Sequence, residues 1–331
     1  MATNPQPEPQ VSVLVTTWNH ARYVEEALDS LRRQTNRNFE VIITDDASID
    51  GSAEIIAAWL ARTAFAAQFI RNPHNRGICA NCNAALARAR GRFVCSLSGD
   101  DAYEPDRIAR QLACFDTLPE QVAAVYSDAL AVDAEGRPGS RSVLQTRLNG
   151  RPPPQGRVFE QILAGNFLPA PAVMVRKSAI AAVGGYDESL FYEDFDMWLR
   201  LAFRFHFIYL PGRLVRYRML DHSMSNAPRF RSAMCRSRTR ILRKWLEAGL
   251  EPRAHRLLMR RLLVNGALQL SVGDSAGAGD SFAAVASRDP RLHRRLLARA
   301  AMLPGAWLGP AALRLVYRGW KRLRRRAGVR G

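Results

Sequence analysis

Four short runs rich in apolar and β-branched residues limit what this chain can fold into. They are "VSVLVTTWN" (Val11 to Asn19), "FEVIITDD" (Phe39 to Asp46), "AAQFIRN" and "RFVCSLSGDD". Helix-patterned stretches separate them. In "ARYVEEALDSLRRQ" the apolar residues Tyr23, Val24, Ala27, Leu28 and Leu31 recur at helical spacing. Ser52 to Ala61 predicts a second helix, and "ICANCNAALARARG" a third, closed by Gly91. Continuous apolar strands alternating with helices predict an α/β fold whose mostly parallel central sheet has helices on both faces. Ligands of such sheets bind beyond the carboxyl ends of the strands. Three polar ends are therefore expected at one edge: Thr16-Thr17-Trp18, Asp45-Asp46 and Asp100-Asp101.

Adjacent carboxylates repel each other, so two pairs at one sheet edge call for positive charge. A hard divalent cation carrying bound phosphates supplies it, and Mg²⁺ needs only one or two protein carboxylates. The simpler alternative is that Asp100 or Asp101 caps the helix beginning near Pro105-Asp106-Arg107. A cap accounts for one aspartate, and leaves the second and the Asp45-Asp46 pair unexplained.

The 47% hydrophobic content of 331 residues supports a sizeable core. Five cysteines without framework spacing suit a reducing compartment, and the lone CxxC of "CANC" has no second pair to complete a zinc site. Residues 1–10 read as a loose polar leader without a signal-peptide core. The apolar stretch Ala300 to Leu313 is broken by proline and glycine and falls short of the roughly 20 residues of a membrane span. Charge is unevenly spread. From Pro228 to Gly331 there are 24 Lys and Arg against 5 Asp and Glu, while the rest of the chain has 24 against 25. A neutral body, 11–227, thus precedes a basic helical extension, 228–303, and a tail, 304–331. The tail mixes Trp307, Leu308, Leu313, Tyr317 and Trp320 with seven basic residues between Arg314 and Arg326. That combination suits an anionic membrane surface. Nucleic acid is the competing partner, and a solvated basic face is the plain alternative.

The stretches "VSVLVTTWNHARYVEEALDSLRRQTNRNFEVIITDDASIDGS", "NRGICANCNAALARARGRFVCSLSGDDAYEPDRI" and "VGGYDESLFYEDFDMWLRLA" resemble family 2 glycosyltransferases of the GT-A fold. The resemblance runs in order over roughly residues 10 to 226. It implies a Rossmann-like GT-A domain, a nucleotide-sugar donor (UDP-linked by expectation), a divalent cation, Mn²⁺ or Mg²⁺, and an inverting transfer. Thr16, Trp18 and Asp46 match positions that hold the base and ribose, with Asp45 as the acidic neighbour. Asn19, Arg76 and Asn83 are taken with them as donor contacts. Ser98-Gly99-Asp100-Asp101 matches the metal motif, but its first acid is replaced by Ser98, so Asp100 and Asp101 carry the metal and diphosphate contacts. Cys82 stands where an arginine is frequent, so either a different cation approaches the diphosphate, Arg76 being a candidate, or the donor site is less charged. His222, in the "YRMLDHSMSN" segment, is a further candidate metal ligand, and Arg216 and Arg218 are candidates for the diphosphate.

Glu193-Asp194 begins a predicted helix, Phe195 to Phe203, where acidic residues also suit the helix dipole. The resemblance makes Asp194 the catalytic base, with Glu193 as runner-up. A carboxylate suffices because the hydroxyl acidifies as its new bond forms. The acceptor implied is a glycan or lipid-linked hydroxyl, in cell-surface polysaccharide synthesis. The expected location is cytoplasmic, peripheral on the inner membrane face, with no nucleic acid as partner. Two other readings stay open: a metal-dependent nucleotidyltransferase, and a nucleic-acid binder acting through the tail.

Overall fold

The computed structural model describes residues 8–224, 227–291 and 294–295. The tail 304–331, and with it the expected membrane contact, lies outside them. The described chain divides into two compact units. The first holds residues up to Phe159 with Phe167–Ser189 and Glu193–Leu220. The second holds Glu160–Asn166, Leu190–Tyr192 and residues from Asp221 on.

In the first unit the chain runs β1 (Val11–Thr17), α1 (Val24–Arg32), β2 (Phe39–Asp45), α2 (Ser52–Thr63), β3 (Gln68–Arg71), α3 (Ile78–Leu86), β4 (Phe93–Ser98) and β5 (Ala102–Tyr103). There follow α4 (Arg107–Phe115), β6 (Val122–Val132), α5 (Val143–Arg147), α6 (Phe159–Ala164, largely in the second unit), β7 (Val173–Arg176), α7 (Lys177–Ala182), α8 (Glu193–Arg204) and β8 (His206–Arg218). One eight-stranded sheet has the order β3-β2-β1-β4-β7-β6-β8-β5. Its first four strands are parallel, β7 runs antiparallel to both of its neighbours, and β6 and β8 are parallel. The sheet is thus more mixed than the pattern of the first hundred residues suggests.

β1 is buried along nearly all its length because sheet neighbours flank it and helices cover it. Leu28 and Leu31 of α1 and Ile56 and Trp59 of α2 pack into the same core, and the Trp59 indole N–H donates to Asp29 at 3.0 Å. The third helix ends at Leu86, earlier than its sequence pattern suggests, and Gly91 has a different task. A Cβ there would lie 2.5 Å from the Ser12 amide nitrogen, so glycine is what lets the chain enter β4 against β1. Register then aligns the polar ends: Thr17 lies opposite Asp45, and Thr16 opposite Ser98.

The second unit contains α9 (Arg231–Lys244), α10 (Pro252–Ser271) and α11 (Ser275–Arg288). A polar cluster is buried among them. Thr239 bonds to Gln269 and Ser281, and Asn265 donates to Thr239 and to the Cys235 carbonyl. His222 belongs to this unit. No described helix is long and apolar enough to cross a membrane.

Candidate active site

The loops after β1 and β2 are stitched together. Asn19 sits in the left-handed region at φ 58°, which asparagine tolerates. Its amide N–H donates to Ser48 Oγ and its Oδ1 accepts from Ile49, both at 2.9 Å. Asp45 accepts from the Ser48 amide at 3.0 Å and hydroxyl at 2.5 Å. Asp46 is buried and accepts from the Arg76 and Gly77 amides, at 2.7 and 2.9 Å, and from Asn72 at 3.1 Å. These bonds fix the approach to α3. Asn19, Asp45 and Asp46 therefore build the floor of the sheet edge. Thr16 and Trp18, partly exposed, remain on it.

Gly99 leads into the paired aspartates. A Cβ there would lie 2.8 Å from His20 Nδ1 and 2.9 Å from Thr17 Oγ1. Both of those atoms are buried and lack a hydrogen-bond partner among the described residues. His20 Nε2 is 4.0 Å from the Asp100 carboxylate. Neither aspartate caps α4: its N-cap is Asp106, without a side-chain bond. Asp101 instead accepts from the Arg218 amide at 2.8 Å. Burial, and then the charge of Asp100, hold the Asp101 carboxyl well above the usual carboxylate range, against the pull of Arg218 and Arg147. The surroundings thus do not favour charge on both carboxyls at once.

Arg218 is 5% exposed, and its guanidinium is already committed. It donates to the Asp100, Asp133 and Ala134 carbonyls at 2.9 to 3.1 Å and to Glu26 at 2.6 Å, and lies over the Tyr23 ring. It braces the Asp100 turn from beneath, a role the sequence does not reveal. Arg216 pairs with Glu104 at 3.0 Å. Between them lies Tyr217, whose hydroxyl meets Arg147 at 3.4 Å. Its hydroxyl is pushed up to about 12, chiefly by burial. Arg147 opposes the shift, and Asp101, Asp100 and Asp194 add to it. One tyrosine ring therefore lies within electrostatic reach of both aspartate groups, which are almost a hundred residues apart in sequence.

Glu193 and Asp194 lie in the first turn of α8, which starts two residues before its apolar pattern. Burial, and then Asp194, push the Glu193 carboxyl up to about 8. The two acids act on Cys82 and Tyr186. Cys82 is buried and its thiol is raised, which removes it as a nucleophile. Asn83 donates to the Tyr186 carbonyl and Glu188 carboxylate at 2.9 Å and accepts from the Tyr186 amide at 3.0 Å. Its amide fastens the turn that leads toward the acidic pair. The Arg76 side chain is exposed beside the same edge.

The profile of glycosyl transferase family 2 matches residues 12–183. The chain belongs to that family. The Bacillus subtilis (strain 168) protein EpsE, named as a glycosyltransferase, is 30% identical over 195 residues, 58% of this chain and 66% of that one. An uncharacterized glycosyltransferase of Rickettsia prowazekii is 27% identical over 215 residues, 62% of this chain and 63% of that one. The chain spans just under two thirds of the length of these relatives. The fold is similar to that of Staphylococcus aureus TarS 1-349 in complex with UDP-GlcNAc (TM-score 0.64, 22% identity, 88% of each chain). It is also similar to the Pyrobaculum calidifontis mannosyltransferase PcManGT in complex with GDP-Man and Mn²⁺ (TM-score 0.60, 19% identity, 96% of this chain and 88% of that one). The GT-A fold follows.

For a family 2 enzyme the metal question turns on Asp100 and Asp101. No group of three or more His, Cys, Asp or Glu among the described residues is arranged to hold a metal ion. Two carboxylates beside the buried, unsatisfied Thr17 and His20 atoms still fit a cation that completes its shell with water and phosphate oxygens. His20 and Tyr217 escaped the sequence reading. A polar residue just past a strand end was the available signal for His20. Tyr217 carried none.

Proposed function

We propose that the enzyme transfers a sugar, with inversion, from a nucleotide-sugar donor to a hydroxyl of a glycan or lipid-linked acceptor in surface polysaccharide synthesis. The observation that supports this reading is the Asp100–Asp101 pair just past β4, beside the buried and unsatisfied Thr17 Oγ1 and His20 Nδ1, in a chain of family 2. Asp194 accepts the proton of the attacking hydroxyl as the new bond forms at the anomeric carbon and the bond to the phosphate oxygen breaks. Trp18 offers a ring on which a base, uracil by our reading, can stack. Asp100 and Asp101 would hold the divalent cation, which when bound offsets charge on the departing diphosphate. Asp194 is preferred to Glu193 on the register of the family resemblance.

The test is a panel of nucleotide sugars with Mn²⁺, read as thermal stabilisation, since a ligand of the folded state raises stability by mass action. Stabilisation by a nucleotide sugar, lost in D100A and D101A, with release of nucleoside diphosphate on transfer, is expected. Release of pyrophosphate would instead mark a nucleotidyltransferase. Through its tail the protein attaches to anionic membrane, at about 1 kcal/mol per basic residue near the surface. Sedimentation with anionic and neutral liposomes, full chain against a chain lacking 304–331, tests this. Preference for RNA or DNA with steep salt dependence would refute it.

A further inference from the structure

Arg147 ends the short helix α5 and is exposed. The helix is pinned in place. Ser142 and Gln145 cap it reciprocally, and the Leu144 amide donates to Asp128 at 2.9 Å. The arginine itself is also placed. Nη1 donates to the Leu168 carbonyl at 2.8 Å, Nη2 reaches the Tyr217 hydroxyl at 3.4 Å, and the guanidinium carbon lies 5.3 Å from the centre of the Tyr217 ring. Several surface arginines of this unit take carboxylates: Arg22 and Arg137 hold Glu135, and Arg216 holds Glu104. Arg147 makes no ion pair among the described residues. The fold therefore holds a cation, its charge uncommitted, against Tyr217, whose neighbour Arg218 donates its amide to Asp101.

The chemistry of the proposed donor requires such a cation. Two carboxylates offset one divalent ion, so the negative charge of a bound diphosphate is left over. It grows when the bond to the sugar breaks and the nucleoside diphosphate departs. Position 82, where the family resemblance places an arginine, is a buried cysteine beside Glu193 and Asp194. Arg218 is spent on Glu26 and three carbonyls, and Arg216 on Glu104. A guanidinium presents five N–H groups in a planar fork, so the two contacts Arg147 makes leave others to meet phosphate oxygens.

We propose that Arg147 binds the diphosphate of the donor through its guanidinium and stabilises the charge that collects there as the nucleoside diphosphate leaves. The assignment rests on the donor reading above and adds the residue that completes its charge balance. Because the stabilised charge is larger after bond breaking than before, loss of Arg147 lowers kcat as well as donor affinity.

Calorimetric titration of the full chain with UDP and GDP, each beside its nucleoside, in Mg²⁺ buffer tests the assignment. Wild type binds one diphosphate more tightly than the matching nucleoside. R147M weakens diphosphate binding by about 10- to 100-fold, the range of a charge-assisted hydrogen bond, and leaves nucleoside binding and melting temperature near wild type. R147K recovers part of the loss. D101A loses diphosphate binding on the donor reading alone, which separates the two claims. If D101A loses binding while R147M retains it within about two-fold, the arginine's role is overturned and the donor reading stands. The loss appearing in R76M and not in R147M also overturns it. If wild type binds neither diphosphate, both fall.

Discussion

Arg216 and Arg218 sit two residues apart on β8 and look equivalent in sequence, yet the structure predicts opposite outcomes for their loss. In R218M the guanidinium's contacts vanish together. Three carbonyls, of Asp100, Asp133 and Ala134, lose their donor, and Glu26 loses its partner. The Tyr23 ring loses the cation 4.6 Å from its centre. Breaking a buried pair by removing one partner costs about 3–5 kcal/mol. Glu26 has a side chain 41% exposed and rehydrates, which favours the lower end. The stranded carbonyls add back about 1 kcal/mol or more each where water cannot reach them. A net cost of about 4 kcal/mol, at roughly 2–4 °C per kcal/mol for a unit of this size, lowers the melting temperature by about 8–16 °C. Arg216 and Glu104 have side chains 49% and 28% exposed, so R216M costs at most about 1 kcal/mol. Thermal melts of the two variants, with R218K beside them, are the assay. R218K keeps the charge but not the planar fork, and should recover less than half of the loss. Melting of R218M within about 3 °C of wild type, or an equal fall in R216M, would refute the view of Arg218 as the brace of the Asp100 turn.

Three further outcomes are expected. D194N keeps donor binding and loses transfer by roughly 10²–10⁴-fold, whereas E193Q keeps most of it; kinetics showing the reverse would make Glu193 the base. With its carboxyl raised from 4.5 to about 8 in the folded state, Glu193 contributes stability that is complete below about pH 4.5 and is lost as pH rises through 8. Urea melts of E193Q should therefore gain on wild type by at most about 5 kcal/mol across that window, less what water at the partly exposed pair recovers, and parallel pH profiles would refute the shift. G99A forces a Cβ against His20 and Thr17 and should weaken donor binding at least about ten-fold; T17A/G99A, with the crowding atom removed, restores part of it in the same titration.

The sheet edge was legible because strand register carries polar ends along with the apolar runs that precede them. Thr17 meeting Asp45, and Thr16 meeting Ser98, follow from that pattern. The direction of each side chain does not. Asp46 and Asn83 carry the chemistry of ligand contacts, yet their partners are backbone groups of the 76–77 and 186 turns. Those partners lie up to a hundred residues away, so no local spacing reports them. Arg218 was hidden for the same reason: its carboxylate, Glu26, is 192 residues earlier. The antiparallel insertion of β7 between β4 and β6 also escaped, since a four-residue strand has too short a pattern to announce its direction.

The stitching of the loops after β1 and β2 has a consequence for how such an enzyme changes its donor. Asn19, Ser48 and Asp46 each serve another loop, and Asp45 fixes Ser48 within its own, so a substitution at any of them disturbs the stitching. Trp18 and Thr16 stand among these residues on β1 and the turn that follows it. Their side chains take no part in the hydrogen bonds named above. Libraries directed at a new nucleotide should therefore vary Thr16, Trp18 and the exposed Arg76 side chain, and hold the four stitched positions constant.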